Sequence, residues 1–284
     1  MRHCALLIAS LFALMGCIKE PDMNDSFRHR LVVEGRIEQG RRAVVMLSQN
    51  LPYSDSYDKD TYRKMTVWAT GVRLIHGEES EELTYRKNSD YPTEYIYTSQ
   101  KIIGEVGESY TLEIEYSGQR WRSECTIPPA IELRDIEVVA EGNNEYSIRA
   151  TLPPTEYPCS IDCAINSSQY YAPTLLGIYP PSESEREIII NRPTDQFIRK
   201  DYTTLFSGDD MVRLRVNTLC DFAYTYWRKW EDNFINSINP IFPSTAILPS
   251  NISNNGMGIW SGYGTTYHNL GQISKYGKRS GVET

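Results

Sequence analysis

The sequence predicts a mainly β fold of two sandwich-like domains, the second carrying one amphipathic helix, and three observations carry that expectation. Short segments rich in β-branched and aromatic residues recur between Gly, Pro, Asn and Asp. Residues 109–127 alternate apolar and polar side chains through a turn and back, a period of two that belongs to strand rather than helix. Ile127-Pro128-Pro129 then interrupts the chain with two residues that cannot donate ladder hydrogen bonds and that stiffen the connection, which places the domain boundary there.

From the N-terminus, Arg2 and the apolar run Ala5 to Met15 have the build of an export signal, with Gly16 as the small residue before Cys17. The run is shorter than the roughly 20 apolar residues a spanning helix requires. Leu14-Met15-Gly16-Cys17 resembles the lipobox of bacterial lipoproteins, so residues 1–16 are expected to be removed and Cys17 to be lipidated, with palmitate among its acyl chains. Several chains on one cysteine, at about 0.8 kcal/mol per buried methylene, would anchor the protein stably to a membrane it does not cross. Residues 17–28 are polar and without apolar period, and read as a tether.

Leu31–Ile37, Ala43–Ser48, Val67–Ile75 and Tyr95–Ile103 are the next expected strands of a domain spanning 29–128. In the hairpin, Tyr110, Leu112, Ile114 and Tyr116 share one face, Ser117-Gly118-Gln119 turns, and Trp121, Cys125 and Ile127 return. Gly107-Glu108-Ser109-Tyr110 is similar to the tyrosine corner of immunoglobulin-like sandwiches, in which a phenol caps backbone at a strand-crossing corner, so Tyr110 is read as structural.

The second domain, 129–284, is expected to use strands near 131–139, 146–152, 161–165, 187–190 and 211–218. In the last of these Val212, Leu214 and Val216 face one way, Arg213 and Arg215 the other. Its helix is expected at 221–237. Phe222, Tyr226, Trp230 and Phe234 form the packing stripe, and Arg228, Lys229, Glu231 and Asp232 the polar side. Asn239-Pro240 ends it, and Gly256–Tyr267 reads as a returning strand. Ser168–Pro181 shows no period and is either a contact surface or a buried crossing segment.

The formal net charge is −8, and becomes −9 once Arg2 leaves with the signal. An acidic body lacks the basic footprint that nucleic acid requires. Of six cysteines, Cys4 leaves with the signal and Cys17 takes lipid, so Cys125, Cys159, Cys163 and Cys220 remain, with three complete pairings open. Cys159 and Cys163 are too far apart for a disulfide if the segment between them is extended. His29, His76 and His268 show no metal-ligand spacing, and no nucleophile elbow, phosphate loop or dinucleotide fingerprint is present. Asp55, Asp58 and Asp60 form an acidic loop, read as solvated before calcium-binding. Glu78, Glu79, Glu81 and Glu82 read as a solvated hairpin tip. No catalytic, cofactor or metal residues are expected. The 20 tyrosines and 5 tryptophans favour recognition surfaces or β cores.

The lipobox, LVVEGRI at 31–37, VGESYTLEIEYSGQRWRSECTIP at 106–128 and NISNNGMGIWSGYG at 251–264 together resemble a Bacteroidetes-type lipoprotein family known as domain-of-unknown-function family 4249. The resemblance runs from about Leu31 to Gly264 and brings no catalytic residues. It implies an outer-membrane lipoprotein with an immunoglobulin-like first sandwich, often encoded beside TonB-dependent transporters. Ile18 after the lipidated cysteine and the charged Lys19-Glu20 fit outer-membrane placement. The expected function is a non-enzymatic binding or accessory module for such a transporter, held to the membrane by lipid and without cofactor. The alternatives are an envelope hydrolase acting on glycans or peptides, with carboxylates gathered from distant strands, and a structural or adhesive surface protein.

Overall fold

A computed structural model describes residues 28–51, 64–193, 203–237 and 247–276, and among these it shows sixteen strands and two helices. The first half supplies β1 (Leu31–Glu38), β2 (Arg42–Gln49), β3 (Gly71–His76), β4 (Glu79–Glu82), β5 (Thr84–Lys87), β6 (Tyr95–Ile103), β7 (Ser109–Tyr116) and β8 (Gln119–Thr126). The second supplies β9 (Arg134–Gly142), β10 (Glu145–Leu152), β11 (Cys159–Ile165), β12 (Ala172–Tyr179), β13 (Arg186–Ile190), β14 (Phe206–Ser207), β15 (Met211–Thr218), α1 (Asp221–Ser237), β16 (Met257–Gln272) and α2 (Ile273–Tyr276).

The protein is mainly β and sandwich-like, as the alternating segments predict. One eight-stranded sheet, ordered β12-β11-β15-β16-β1-β2-β6-β5, runs through both halves. Sheet β4-β3-β7-β8 shares a core with its β1, β2 and β6 side, where Val33, Ile37, Val45, Leu47, Leu74, Leu112, Ile114 and Trp260 are buried together. Strands β9, β10, β13 and β14 share a second core with the β11 and β15 side, built on Ile148, Leu152, Ile161, Ile188, Phe206, Leu214 and Val216.

The long strand β16 belongs to both. Met257–Tyr263 pairs in parallel with β1, and Gly264–Gln272 pairs antiparallel with β15. Trp260 therefore fills the first core while Leu270 fills the second. A division at Pro128-Pro129 follows the chain's first pass, but residues near the C-terminal end, Ile252 and Trp260, complete the N-terminal core. Gly35, opposite Trp260, leaves the room its ring needs, since a Cβ there would sit 2.7 Å from the indole. Burying an indole of that size contributes roughly 4–6 kcal/mol. Gly262 lies so near the linker that a Cβ would be 2.6 Å from the Thr126 carbonyl, and one on Gly264 would strike the Pro128 carbonyl.

Tyr110 forms the expected corner. Fully buried, its hydroxyl accepts from the Glu105 amide at 2.8 Å and donates to the Ile103 carbonyl at 3.2 Å.

Several expectations are corrected. The strand expected over 67–75 begins only at Gly71. Ser168–Pro181 contains β12, whose period is broken by a register shift against β11 and by Leu176 at φ 58°. The acidic tip is a real hairpin, but Glu81 turns back and its carboxylate accepts from the Lys101 and Ile102 amides at 3.0 and 2.9 Å. In α1 the buried side runs through Ala223, Tyr226 and Glu231, so Glu231 leaves the expected polar face, while Trp230 and Phe234 are half-buried and stack at 5.4 Å. The helix end at Asn239-Pro240 lies outside the described residues.

Candidate functional site

Strand period two sorts the large sheet's side chains onto two faces. In β1, Val33 and Ile37 point into the first core, so Glu34 and Arg36 point the other way. In β15, Leu214 and Val216 enter the second core, so Arg215 and Asn217 are turned outward. Register then sets Asp162 of β11 opposite Arg215, and Ser160 opposite Asn217. Because β16 joins β1 to β15, these residues meet on one continuous face. Trp227 of α1 and the tyrosines at 91, 170 and 171 wall them in.

The result is a buried ion-pair network between the two halves. Arg215 donates to Asp162 Oδ2 from Nη2 at 2.6 Å and from Nε at 3.0 Å, and reaches Glu38 at 3.3 Å. Arg36 lies 2.6 Å from Glu38 and 3.7 Å from Asp162, and donates to Asn217 Oδ1 at 2.8 Å. Asn217 in turn donates to Asp162 at 2.8 Å and to Ser160 at 3.1 Å. The Tyr267 hydroxyl donates to Glu38. Aromatic faces cover the cations, with Tyr263 4.5 Å from Arg36 and Tyr171 5.0 Å from Arg215. Trp227 Nε1 donates to the Tyr263 hydroxyl at 3.1 Å. Glu38, Asp162 and Arg215 are each below 10 % exposed, so these pairs act in a medium where charge is costly to leave unpaired.

Burial by itself would raise the Glu38 carboxyl, but the Arg36 and Arg215 guanidiniums and the Tyr267 hydroxyl outweigh it and hold Glu38 below the usual carboxylate range. Arg215 is held more firmly charged than usual, since Asp162 and Glu38 overcome its own burial. Glu34 behaves oppositely. It keeps some surface exposure, yet so much protein surrounds it that desolvation dominates and pushes it up to about 7, against the pull of Arg36 and Arg215. Among the described residues nothing donates a hydrogen bond to its carboxyl, and no cation lies within ion-pair distance.

Two adjoining spaces of about 30 and 20 Å³ open beside Glu34, Arg36 and Arg215. By that measure a water needs roughly 10–15 Å³, so each holds a water-sized group and neither holds a sugar or a nucleotide. Chemically, the network holds its own charges in fixed pairs. Its two arginine-paired carboxylates are engaged, and Glu34 is the group left to exchange a proton or accept a partner.

Cys17 and the aspartates at 55, 58 and 60 lie outside the described residues. Cys125, Cys159, Cys163 and Cys220 are free thiols. Cys159 and Cys163 share one extended strand, and burial pushes the Cys159 thiol up to about 12, where it is inert. The histidines are dispersed: His29 is exposed, His76 pairs with Glu108 at 3.1 Å, and His268 is half-buried on β16. Among the described residues no three potential metal ligands converge.

Glu34, Arg36, Glu38 and Asp162 escaped the sequence reading. Their signal was faint but present: charges at alternate positions of apolar strands, in LVVEGRIE and CSIDCAI, as for Arg213 and Arg215. Alternation reads as a solvated face; only the cover supplied by other elements makes it a buried one.

No curated protein matches the chain. A family model described as Domain of unknown function (DUF4249) matches residues 19–268, and it is to this family that the protein, with its two cores stitched by one strand, belongs.

Proposed function

We propose that the protein is a binding or accessory module of the cell envelope, lipid-anchored through Cys17 at the outer membrane and working with a TonB-dependent transporter, and that it catalyses nothing. The observation that carries the binding part is the state of the cleft's acids: Glu38 and Asp162 are each committed to arginine, and the remaining space is water-sized. A hydrolase working in this cleft would need a pair of carboxyls flanking a substrate-sized gap. The anchor rests on the lipobox, and the transporter on the family resemblance. Among the described residues no helix is long and apolar enough to cross a membrane.

Mild-detergent purification of the tagged full chain from native membranes tests the assignment. A TonB-dependent transporter in stoichiometric amount is the expected result, and its absence after cross-linking would count against it. Glu34 favours one competing reading, since a near-neutral carboxyl suits a general acid. Turnover on polysaccharides, peptides or esters that survives repurification and is lost in Glu34→Gln would establish an enzyme instead.

A further inference from the structure

We propose that the cleft at Glu34 is a receptor for a primary ammonium group, either a free alkylamine or a lysine side chain presented by a partner protein. The inference rests on the binding-module reading and gives it a ligand chemistry.

Three independent features select this class. The first is charge. The guanidiniums of Arg36 and Arg215 are answered by the carboxylates of Glu38 and Asp162, while Arg41 stands largely solvated at the rim, 3.9 Å from Glu38. With Arg41 counted, three guanidiniums stand against three carboxyls, and Glu34 is the one of the three acids without hydrogen bond or ion pair among the described residues. Facing it are Arg36 from its own strand, Arg215 from β15, Asp162 from β11 and Tyr226 from α1. A half-buried carboxylate so surrounded by protein is relieved by a proton, by water or by an incoming cation.

The second feature is size. A space of about 30 Å³ fits a head group as large as water, which an ammonium is and a guanidinium or a sugar ring is not. The third is the wall. The rings of Tyr263 and Tyr171 lie over resident arginines, while Tyr91, which meets Tyr170 edge to face at 5.4 Å, and Trp227, which packs on Tyr226 and Trp230, also line the cleft, and aromatic rings attract cations. Carboxylate, aromatic wall and water-sized volume together describe an ammonium site. An anion would meet the unpaired acid, and a neutral alcohol would leave its charge unanswered.

The test is calorimetric titration of the full chain in detergent at pH 8 with n-butylamine and with N-acetyl-lysine amide. Butanol and N-acetyl-norleucine amide serve as neutral counterparts. The amines are expected to bind saturably, and their neutral counterparts at least tenfold more weakly. Lowering the pH to 5.5 protonates Glu34 and should weaken amine binding roughly thirtyfold, because an acid titrating near 7 is then only a few per cent ionised. Glu34→Gln should lose at least tenfold in affinity and all of this pH dependence. Preference for butylamine would identify a small-molecule ligand, and preference for the lysine amide a protein side chain; either outcome supports the ammonium class.

Equal binding of the neutral counterparts, affinity unchanged between pH 8 and 5.5, or no heat from either amine up to about 10 mM would overturn the proposal. The wild-type pH and counterpart comparisons decide it even if Glu34→Gln fails to fold. A silent titration from a protein that still brings down its transporter removes the ammonium site alone. Amine binding without a transporter removes the transporter assignment alone.

Discussion

Replacing Glu34 by Gln should make the protein more stable at pH 8. Its carboxyl is raised from an ordinary value of 4.5 to about 7, so the folded state holds the proton more tightly than the unfolded state does. Stability linked to that proton is complete below about pH 4.5 and is lost as the pH rises to about 7. At about 1.36 kcal/mol per tenfold change in proton affinity, the loss is about 3 kcal/mol. Glutamine carries no charge to desolvate, but its amide also finds no ready partner, which costs about 1 kcal/mol or more. A net gain of about 1–3 kcal/mol at pH 8 is therefore expected, shrinking to nothing or to a small loss at pH 5. Other groups titrate in parallel. His268 is harder to protonate when folded because of its burial, so its contribution is lost as the pH falls below 6.5. Glu38, held low, contributes above about 4.5 and loses its effect in acid. Both are common to the two proteins and cancel in the difference. Urea unfolding of each at pH 5, 6, 7 and 8 measures that difference directly. Parallel stability curves would refute the argument, because they would mean Glu34 is solvated and titrates as an ordinary carboxyl.

Two further substitutions probe the frame around the cleft. Arg215→Met leaves Asp162 and Glu38 to share Arg36 alone in a buried face and should cost about 3 kcal/mol by denaturant unfolding; a cost below about 1 kcal/mol would mean that the network is wet. Tyr110→Phe deprives the Glu105 amide and the Ile103 carbonyl of their partner and should cost about 1–3 kcal/mol, with faster hydrogen exchange at Glu105; unchanged exchange there would remove Tyr110's role as a corner.

The strands were legible wherever local pattern decides. Met211–Thr218 and Tyr95–Ile103 match their expected limits, the first because its apolar residues alternate with polar ones and the second because β-branched and aromatic residues fill it. The helix at Asp221–Ser237 also matches, because an acid opens it and apolar residues recur along it. Strand β12 was not legible: one left-handed residue, Leu176, shifts the phase of everything after it. Glu231 was misplaced for a related reason. Helical spacing puts it beside other charges, whereas packing on β12 puts it in the interior, where burial raises its carboxyl against the pull of Arg228.

By itself, then, the sequence determined the β class, the helix at Asp221–Ser237 and the tyrosine corner, all properties of neighbours close along the chain. Tertiary structure alone decided that β16 pairs with β1 through Tyr263 and with β15 after it, because strand pairing depends on which edges meet across the chain and carries little local signature. The site followed from that pairing. Glu34 and Arg215 lie 181 positions apart, and each reads as an unremarkable charge on a half-exposed strand. Joining their strands through β16 puts them on one face, and a covering helix and tyrosines take water away. Two guanidiniums then outweigh desolvation at Glu38 and hold it charged, while at Glu34 desolvation wins and moves the carboxyl up to about 7.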